Sequence, residues 1–277
     1  MIFILGGHGF LGSALVRHCV ERGLAHQSIT RQNYSRYLGR SCDLLVNAAG
    51  NSRKYLARER PLEDFELSVG GVRASLEDFH FSRYLYLSSA DVYPDSSSAE
   101  TTREDQRIEP QQQTPYGFHK YLAEQCARHR AREWLILRVS GCLGPGLRKN
   151  PVYDLLEGLP LWVEAASEFQ YLHTADLARI VFELAELPAG KEVINVGGRG
   201  VMRMDEVARL SGLPVRVRQG SPRVRCELDI RKLASYCAVP ETGAAIRRFL
   251  ADHATGRTWQ PCEPARSVGR PSGRGRA

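Results

Sequence analysis

The chain has 277 residues, of which 43% are hydrophobic and 25% are charged, and its formal net charge is +7. This length and composition are ordinary for a soluble globular protein with one large domain, or one domain and a lobe. No apolar run approaches the ~20 residues of a membrane span, so a membrane-embedded protein is excluded and no membrane partner is expected.

The chain opens with a predicted strand, a glycine-rich turn and a helix. The strand, Ile2–Leu5, leaves no room for a secretory signal before it, so we expect a cytoplasmic protein. The turn reads Gly6-Gly7-His8-Gly9-Phe10-Leu11-Gly12, and apolar residues follow it at helical spacing. Such glycines bring backbone close to a pyrophosphate at the helix N-terminus. The order predicts a dinucleotide site; a glycine turn that merely closes the strand–helix unit is the alternative.

The second predicted strand, Gln27–Thr30, bears on the choice of dinucleotide. An NAD site usually has an Asp or Glu at the end of this strand, ~20 residues after the glycines, to bind the ribose hydroxyls. Here Arg31 follows the strand, and no acid occurs before Asp43. Arg31, helped by Arg36, would suit a ribose 2′-phosphate, so the sequence favours NADP(H), although exposed arginines without any ligand are common.

A buried strand that begins at Asp43 ends in the small residues Ala48, Ala49 and Gly50. Small side chains let the backbone approach a cofactor, although close packing at a strand end would also explain them. Only about a dozen residues separate this strand from the previous one, too few for a full helical crossover, so one unit of the usual sheet is shortened or lost. A long helix is then predicted over 61–79.

The segment 84–120 has the clearest catalytic pattern. A buried strand ends near Ser89, and a helix that begins at Pro115 carries Tyr116 and Lys120 on one face. A tyrosine ionises near pH ~10, and an adjacent ammonium would lower that pKa. The Ser89 hydroxyl would hold a carbonyl or alcohol oxygen beside the phenol. The pattern predicts a proton-transfer site, with an incidental side-chain pair as the alternative.

The rest of the chain continues the alternation of strands and helices. This alternation predicts an α/β fold, namely a Rossmann-like doubly wound parallel sheet. The further elements are predicted as a strand at 134–139, a turn at 144–146, a helix at 177–187, a strand at 192–196 and helices at 204–210 and 243–250.

The C-terminal segment 256–277 holds five arginines against one glutamate and thus carries +4 of the net charge. This basic tail is rich in Gly, Pro and Ser and is expected to be disordered, so the charge does not predict nucleic-acid binding; a specific anionic partner is the alternative. The seven cysteines are scattered, without a C-x-x-C pair or zinc-like spacing, so we expect reduced thiols and no metal site.

Together these motifs resemble the extended short-chain dehydrogenase/reductase family, also called the NAD(P)-dependent epimerase/dehydratase family. The likeness covers most of residues 1–250, and the order and spacing of the motifs are more specific than any one of them. The motifs are Gly6-x-x-Gly9-x-x-Gly12, Asp43-Leu-Leu-Val-Asn-Ala-Ala, Leu87-Ser-Ser-Ala-Asp-Val-Tyr93, Tyr116-x-x-x-Lys120, Leu137-Arg138 followed by Gly144-Pro145-Gly146, and Leu172-His-Thr-Ala-Asp176.

The resemblance implies roles for the matching residues. Ser89, Tyr116 and Lys120 would form the catalytic triad, and Lys120 would also bind the nicotinamide ribose. A single NAD(P)-binding domain would span 1–255, with a small C-terminal substrate lobe formed mainly by about 141–170 and 197–255. The residues expected at the cofactor are Gly6, Gly9, Phe10, Leu11, Gly12, Arg31, Ala48, Ala49, Gly50, Tyr116 and Lys120.

Polar residues beside these motifs are expected at the substrate. Asn51 follows the cofactor-lining strand, Asp91 follows Ser89, and Asn150 opens the lobe segment next to Lys149, where a diphosphate would be contacted. Polar loop residues without a ligand are the alternative.

Departures from the family pattern narrow the expected activity. The connection 146–169 is short for a family that covers a nucleotide sugar in this region, and Ala90-Asp91 stands where 4,6-dehydratases have Asp-Glu. The resemblance therefore favours a reductase that transfers hydride to a keto group of a nucleotide-linked sugar, with Tyr116 as proton donor. A 4-epimerase with tightly bound NAD and a non-catalytic NAD(P)-sensing or scaffold protein are the alternatives. The family also implies a homodimer, through helices at 61–79 and 116–131.

Overall fold

A parallel six-stranded sheet organises residues 1–255, the part of the chain that the computed structural model describes. The predicted basic tail, 256–277, lies outside these residues. Within them, no helix is both long and apolar enough to cross a membrane. The strands are β1 (Ile2–Leu5), β2 (His26–Ile29), β3 (Ser41–Asn47), β4 (His80–Ser89), β5 (Trp134–Val139), β6 (Gly141–Leu143), β7 (Glu168–Phe169), β8 (Tyr171–His173), β9 (Lys191–Val196), β10 (Met202–Arg203) and β11 (Arg225–Cys226).

The order of strands in the central sheet is β2-β1-β3-β4-β5-β9. The direction in which strands are added reverses between β1 and β3, and parallel pairing brings all six carboxyl ends to one edge. In open α/β sheets, ligands bind outside that edge, at the reversal point. Leu5, Asn47 and Ser89, the last residues of β1, β3 and β4, therefore mark where a site is expected.

Helices cover both faces of the sheet. In residues 1–255 they are α1 (Phe10–Glu21), α2 (Leu56–Glu59), α3 (Pro61–Phe65), α4 (Gly71–Asp78), α5 (Pro115–Arg130), α6 (Pro151–Leu156), α7 (Thr174–Ala185), α8 (Met204–Ser211), α9 (Arg231–Tyr236) and α10 (Thr242–Ala254). Helices α1 and α7 bury their apolar sides against one face, and α4 and α5 against the other. The predicted doubly wound α/β fold is confirmed.

Two elements near the expected site differ from simple helices and strands. The helix predicted over 61–79 is a continuous helical run in which a π-helical segment, Glu66–Gly70, separates α3 from α4. The predicted second strand ends one residue early, because the N–H of Thr30 donates to the side chain of Asn33 at 2.7 Å and turns the chain away. A single 3₁₀ turn, Tyr34–Tyr37, then replaces a helix before β3, which confirms the shortened unit.

The region predicted to form a substrate lobe has its own small core. Strands β10, β7 and β11 form one short sheet, and β6 pairs with β8 in another. Helices α6, α8 and α10 pack there through a cluster that includes Leu143, Val152, Tyr171, Met204 and Phe249. Part of this cluster lies within 141–170 and part after 197, so the two predicted lobe segments contact each other.

Candidate active site

The glycine-rich turn packs directly against the end of β3. Gly6 has φ +76°, a left-handed conformation that side chains disfavour, and a Cβ at this position would lie 2.9 Å from the Cα of Ala49. A Cβ on Gly12 would overlap the carbonyl group of Gly6. Only glycine therefore lets the turn, the start of α1 and the end of β3 come together.

Helix α1 begins without a side-chain cap. Gly9 is its N-cap, no side chain accepts a hydrogen bond there, and the first turn contains no acid. Phe10 and Leu11, the first two helical residues, are at least partly accessible. Uncapped N–H groups and the helix dipole attract an anion, so this end fits the pyrophosphate of a dinucleotide.

A buried asparagine fixes the small residues after β3. The Nδ2 of Asn47 donates to the Tyr84 hydroxyl at 2.8 Å and to the Ser75 hydroxyl at 3.2 Å. Its Oδ1 accepts the N–H of Ala49 at 3.0 Å. This network holds Ala48, Ala49 and Gly50 at the carboxyl edge, next to the glycine turn.

Arg31 lies at the same edge, just after β2, and is exposed. The turn that carries it is fixed by Asn33, whose Nδ2 donates to the carbonyl oxygen of Ser28 at 3.0 Å. An exposed guanidinium on a fixed turn suits recognition of a phosphate group.

The N-terminus of α5 adjoins the turn after β4. Thr114 caps the helix, because its Oγ1 accepts the N–H of Gly117 at 3.1 Å, and Pro115 is the first helical residue. A Cβ on Gly117 would overlap the carbonyl oxygen of Asp91. Glycine at this position therefore lets α5 bring Tyr116 close to the end of β4, where Ser89 lies.

Tyr116 is buried, and its hydroxyl donates to the main-chain oxygen of Asn51 at 3.3 Å. Its pKa is raised, because burial disfavours the phenolate and the Asp91 and Asp64 carboxylates repel it further. The prediction that Lys120 lowers the pKa of Tyr116 is therefore wrong, because burial and the two carboxylates raise it. At neutral pH the phenol is protonated.

Lys120 lies one turn further along α5, and its Nζ donates to the carbonyl oxygen of Leu87 at 3.0 Å. The same Nζ lies 4.5 Å from the centre of the Tyr86 ring. Burial lowers the pKa of Lys120 to about 8, although Glu124 and two other carboxylates oppose the shift. An ammonium has three N–H donors, so two are left for a ligand at neutral pH.

Ser89 and Asp91 form a small polar cluster at the end of β4. The Ser89 hydroxyl donates to Oδ2 of Asp91 at 2.7 Å, and the N–H of Asp91 donates back to the Ser89 oxygen at 3.2 Å. Oδ1 of Asp91 pairs with the Lys54 ammonium at 2.6 Å. A Cβ on Gly117, the residue after Tyr116, would overlap the carbonyl oxygen of Asp91, so this cluster adjoins the start of α5.

The two predicted substrate asparagines make local hydrogen bonds with their side chains. Asn51 donates to Asp64 at 2.6 Å and to the carbonyl oxygen of Arg53 at 2.8 Å, and it accepts the Arg53 N–H at 2.8 Å. Asn150 caps α6 by accepting the N–H of Tyr153 at 2.8 Å. Asn51 therefore reaches the site through its main-chain carbonyl, which contacts Tyr116.

A buried ion pair that the sequence motifs did not reveal supports α5 from behind. Glu124 accepts two hydrogen bonds from Arg138 of β5, at 2.8 and 3.1 Å, and one from the Ser88 hydroxyl at 2.6 Å. All three residues are buried. The spacing of Tyr116, Lys120 and Glu124 places them on one helix face, and Arg138 belongs to the Leu137-Arg138 motif, but neither pattern pairs Glu124 with Arg138.

Comparisons with known proteins agree with this geometry. The sequence model of the NAD dependent epimerase/dehydratase family matches residues 2–197. No curated protein matches the sequence.

Solved structures with the same fold are numerous. A UDP-galactose 4-epimerase is 22% identical, covering 92% of this chain and 99% of that one, with a TM-score of 0.74. MoeE5 in complex with UDP-glucose and NAD is 20% identical, with a TM-score of 0.78 and coverages of 93% and 99%. The dTDP-4-dehydrorhamnose reductase from Bacillus anthracis in complex with NADP is 15% identical, with a TM-score of 0.73 and coverages of 91% and 98%. At these identities the similarity demonstrates the fold.

Proposed function

Because the chain belongs to the NAD dependent epimerase/dehydratase family, we propose that it is an NAD(P)-dependent oxidoreductase that reduces a keto group of a nucleotide-linked sugar. The observation that carries the proposal is the buried Tyr116 phenol, one helical turn before Lys120 on α5, where Gly117 packs against the turn that follows Ser89. A protonated phenol suits a proton donor, which reduction requires.

Residues at the carboxyl edge of the sheet would have separate roles in binding and in proton transfer. The glycine turn and the start of α1 would hold the pyrophosphate, and Lys120 would donate to the nicotinamide ribose. When bound, the cofactor supplies the hydride and, once oxidised, a positive charge that favours the phenolate. Tyr116 gives its proton to the keto oxygen, and Ser89 turns its hydroxyl from Asp91 to that oxygen.

The choice between NADPH and NADH tests the role proposed for Arg31. Its position after β2, with no acid there, supports NADPH. Arg31→Ala is expected to raise the KM for NADPH by about 10- to 100-fold, the effect of one charge-assisted hydrogen bond, and to leave the KM for NADH unchanged. Arg22→Ala, at the end of α1, is the matched control. Equal effects of Arg31→Ala on both cofactors would contradict the NADPH assignment.

Lysine side chains near Ser89 and Asp91 support the proposal that the substrate carries a diphosphate. Lys54 is exposed and pairs with Asp91 beside Ser89. Lys149 is exposed, and desolvation together with the neighbouring charges of Lys54 and Arg53 lowers the pKa of its ammonium. A bound diphosphate would relieve that repulsion. The lobe formed by about 141–170 and 197–255, to which Asn150 belongs, would complete the site.

A panel of nucleotide sugars distinguishes the activities. Purified protein is incubated with NADPH or NADH and either dTDP-4-dehydrorhamnose or a UDP-4-keto sugar, and oxidation of the cofactor is followed at 340 nm. UDP-glucose, UDP-galactose and UDP-glucuronic acid are tested for epimerisation by chromatography. Interconversion without net use of cofactor would establish the epimerase alternative instead of the reductase.

The catalytic role of Tyr116 is tested with Tyr116→Phe, and Tyr121→Phe on the same helix is the control. Loss of a positioned proton donor is expected to lower kcat by about 10²- to 10⁴-fold. A folded Tyr116→Phe protein with wild-type turnover would refute the mechanism. Binding of NADPH without turnover of any sugar would favour the sensor alternative.

We also propose that the protein is a cytoplasmic homodimer. Leu62, Phe65 and Leu67 are exposed apolar residues on the helical run that packs beside α5, and this supports a subunit contact there. Light scattering of the wild-type protein and of Leu62→Glu tests the contact. A monomeric wild-type protein would contradict it.

A further inference from the structure

A fully buried carboxylate lies behind the catalytic residues. Asp64, on α3, has no solvent exposure. Its Oδ1 accepts hydrogen bonds from Asn51 Nδ2 at 2.6 Å and from the Ser68 hydroxyl at 3.3 Å. Its Oδ2 lies 2.6 Å from Nδ1 of His119. Burying a carboxylate without hydrogen-bond partners costs free energy, and these three partners offset that cost. Asp64 is therefore part of a polar network within the core.

The network reaches the hydroxyl of Tyr116 through Asn51. His119 is on α5, between Tyr116 and Lys120, and is itself buried. On the other side, the Asn51 side chain is held by Asp64, and the main-chain oxygen of Asn51 accepts the Tyr116 hydroxyl at 3.3 Å. The Asp64 carboxylate thus connects α5 to the segment that orients the phenol.

We propose that Asp64 and His119 are positioning residues for Tyr116, which set the location of the Asn51 carbonyl and so the direction of the phenol hydroxyl. This inference rests on the proposed function, because it presumes that Tyr116 transfers the proton. The short hydrogen bond from His119 fixes one carboxylate oxygen of Asp64, and that leaves the other oxygen in place for Asn51.

The direction of the phenol matters because proton transfer needs the donor and the acceptor within hydrogen-bonding distance. A displacement of about 1 Å is enough to slow such a reaction by about 100-fold. Asp64 also contributes to the raised pKa of Tyr116, so it helps keep the proton on the phenol. Both side chains are buried, so neither is placed to contact a substrate directly, and we expect their replacement to change kcat more than KM.

The test compares Asp64→Leu with Glu63→Gln, which removes a neighbouring carboxylate that pairs with Arg60 instead. Crystal structures and hydrogen–deuterium exchange of residues 51–55 report the position of Asn51 without any assay of activity. Asp64→Asn, which keeps an oxygen that can accept from Asn51, is a milder variant if Asp64→Leu does not fold.

We expect Asp64→Leu to break the contact between the Tyr116 hydroxyl and the Asn51 oxygen and to speed exchange in residues 51–55. Glu63→Gln should change neither. The kcat for the sugar identified in the panel should fall about 100-fold with KM unchanged, and Asp64→Asn should retain more activity than Asp64→Leu. An effect on thermal stability with kcat unaltered would mean a merely structural role and would overturn the proposal.

The role of His119 is tested with His119→Gln, and His129→Gln, at an exposed site on the same helix, is the control. If the two residues act as a unit, His119→Gln added to Asp64→Leu should lower kcat little further. An unmoved Tyr116 in Asp64→Leu refutes the inference whether or not the protein turns over a sugar. Absence of turnover in the wild type, by contrast, counts against the proposed function alone.

Discussion

Replacing Lys120 by methionine should abolish turnover and change how stability depends on pH. The side chain is buried, and its pKa is lowered from 10.5 to about 8. Below pH 8 the native protein must bury an ammonium, which costs about 3 kcal/mol, since each pKa unit corresponds to 1.36 kcal/mol. Between pH 8 and 10.5 the unfolded chain binds more protons than the native one, so this cost disappears as the pH rises.

The comparison between wild type and Lys120→Met isolates this effect. The methionine variant loses the hydrogen bond to the carbonyl oxygen of Leu87, an interaction worth about 1–3 kcal/mol. The variant is therefore expected to be as stable as the wild type or slightly more stable at pH 7. Its advantage should shrink by about 2 kcal/mol at pH 10, because the lysine no longer carries the cost there.

Urea unfolding of both proteins at pH 7 and pH 10 measures the change, and Lys191→Met, an exposed site at the start of β9, is the control. A constant difference in stability between wild type and Lys120→Met across this range would show that the pKa of Lys120 is not lowered.

Three further substitutions test the supports of the site. Gly117→Ala should destabilise the protein by about 1–3 kcal/mol in urea unfolding and lower kcat, because its Cβ would overlap the Asp91 carbonyl; no loss would show that the helix moves freely there. Asn150 has φ 149°, a conformation that glycine tolerates best, and replacing an N-cap Asn by Gly costs only about a few tenths of a kcal/mol, so Asn150→Gly should raise the melting temperature by relieving about 1 kcal/mol of strain; an unchanged or lower melting temperature would contradict this. Arg138→Met should cost about 3–5 kcal/mol in the same unfolding assay, since it leaves the Glu124 carboxylate buried without its partner; a smaller cost with Arg138→Met than with the exposed Arg130→Met would contradict this.

Several structural features of this protein could be predicted from the sequence, because they depend on residues that are close together in the chain. The strand, glycine turn and helix at the N-terminus follow from short-range rules, and Gly6 and Gly12 lie where two main-chain segments come close together. The i, i+4 spacing of Tyr116 and Lys120 also needs only the geometry of one helix. The shortened unit before β3 was predictable from chain length, because a crossover needs a minimum number of residues.

Only the tertiary structure determined the Asp64–His119 pair and the pKa of Tyr116, because both depend on segments that are far apart in the sequence. Asp64 and His119 are 55 residues apart, and their pairing exists only because α3 and α5 lie side by side. The sign of the Tyr116 pKa shift has the same origin. The sequence of α5 predicted that Lys120 favours the phenolate. In the structure, burial and carboxylates from other segments raise the pKa of Tyr116 instead. Such shifts depend on three-dimensional distances and on the exclusion of water, which one helix does not contain.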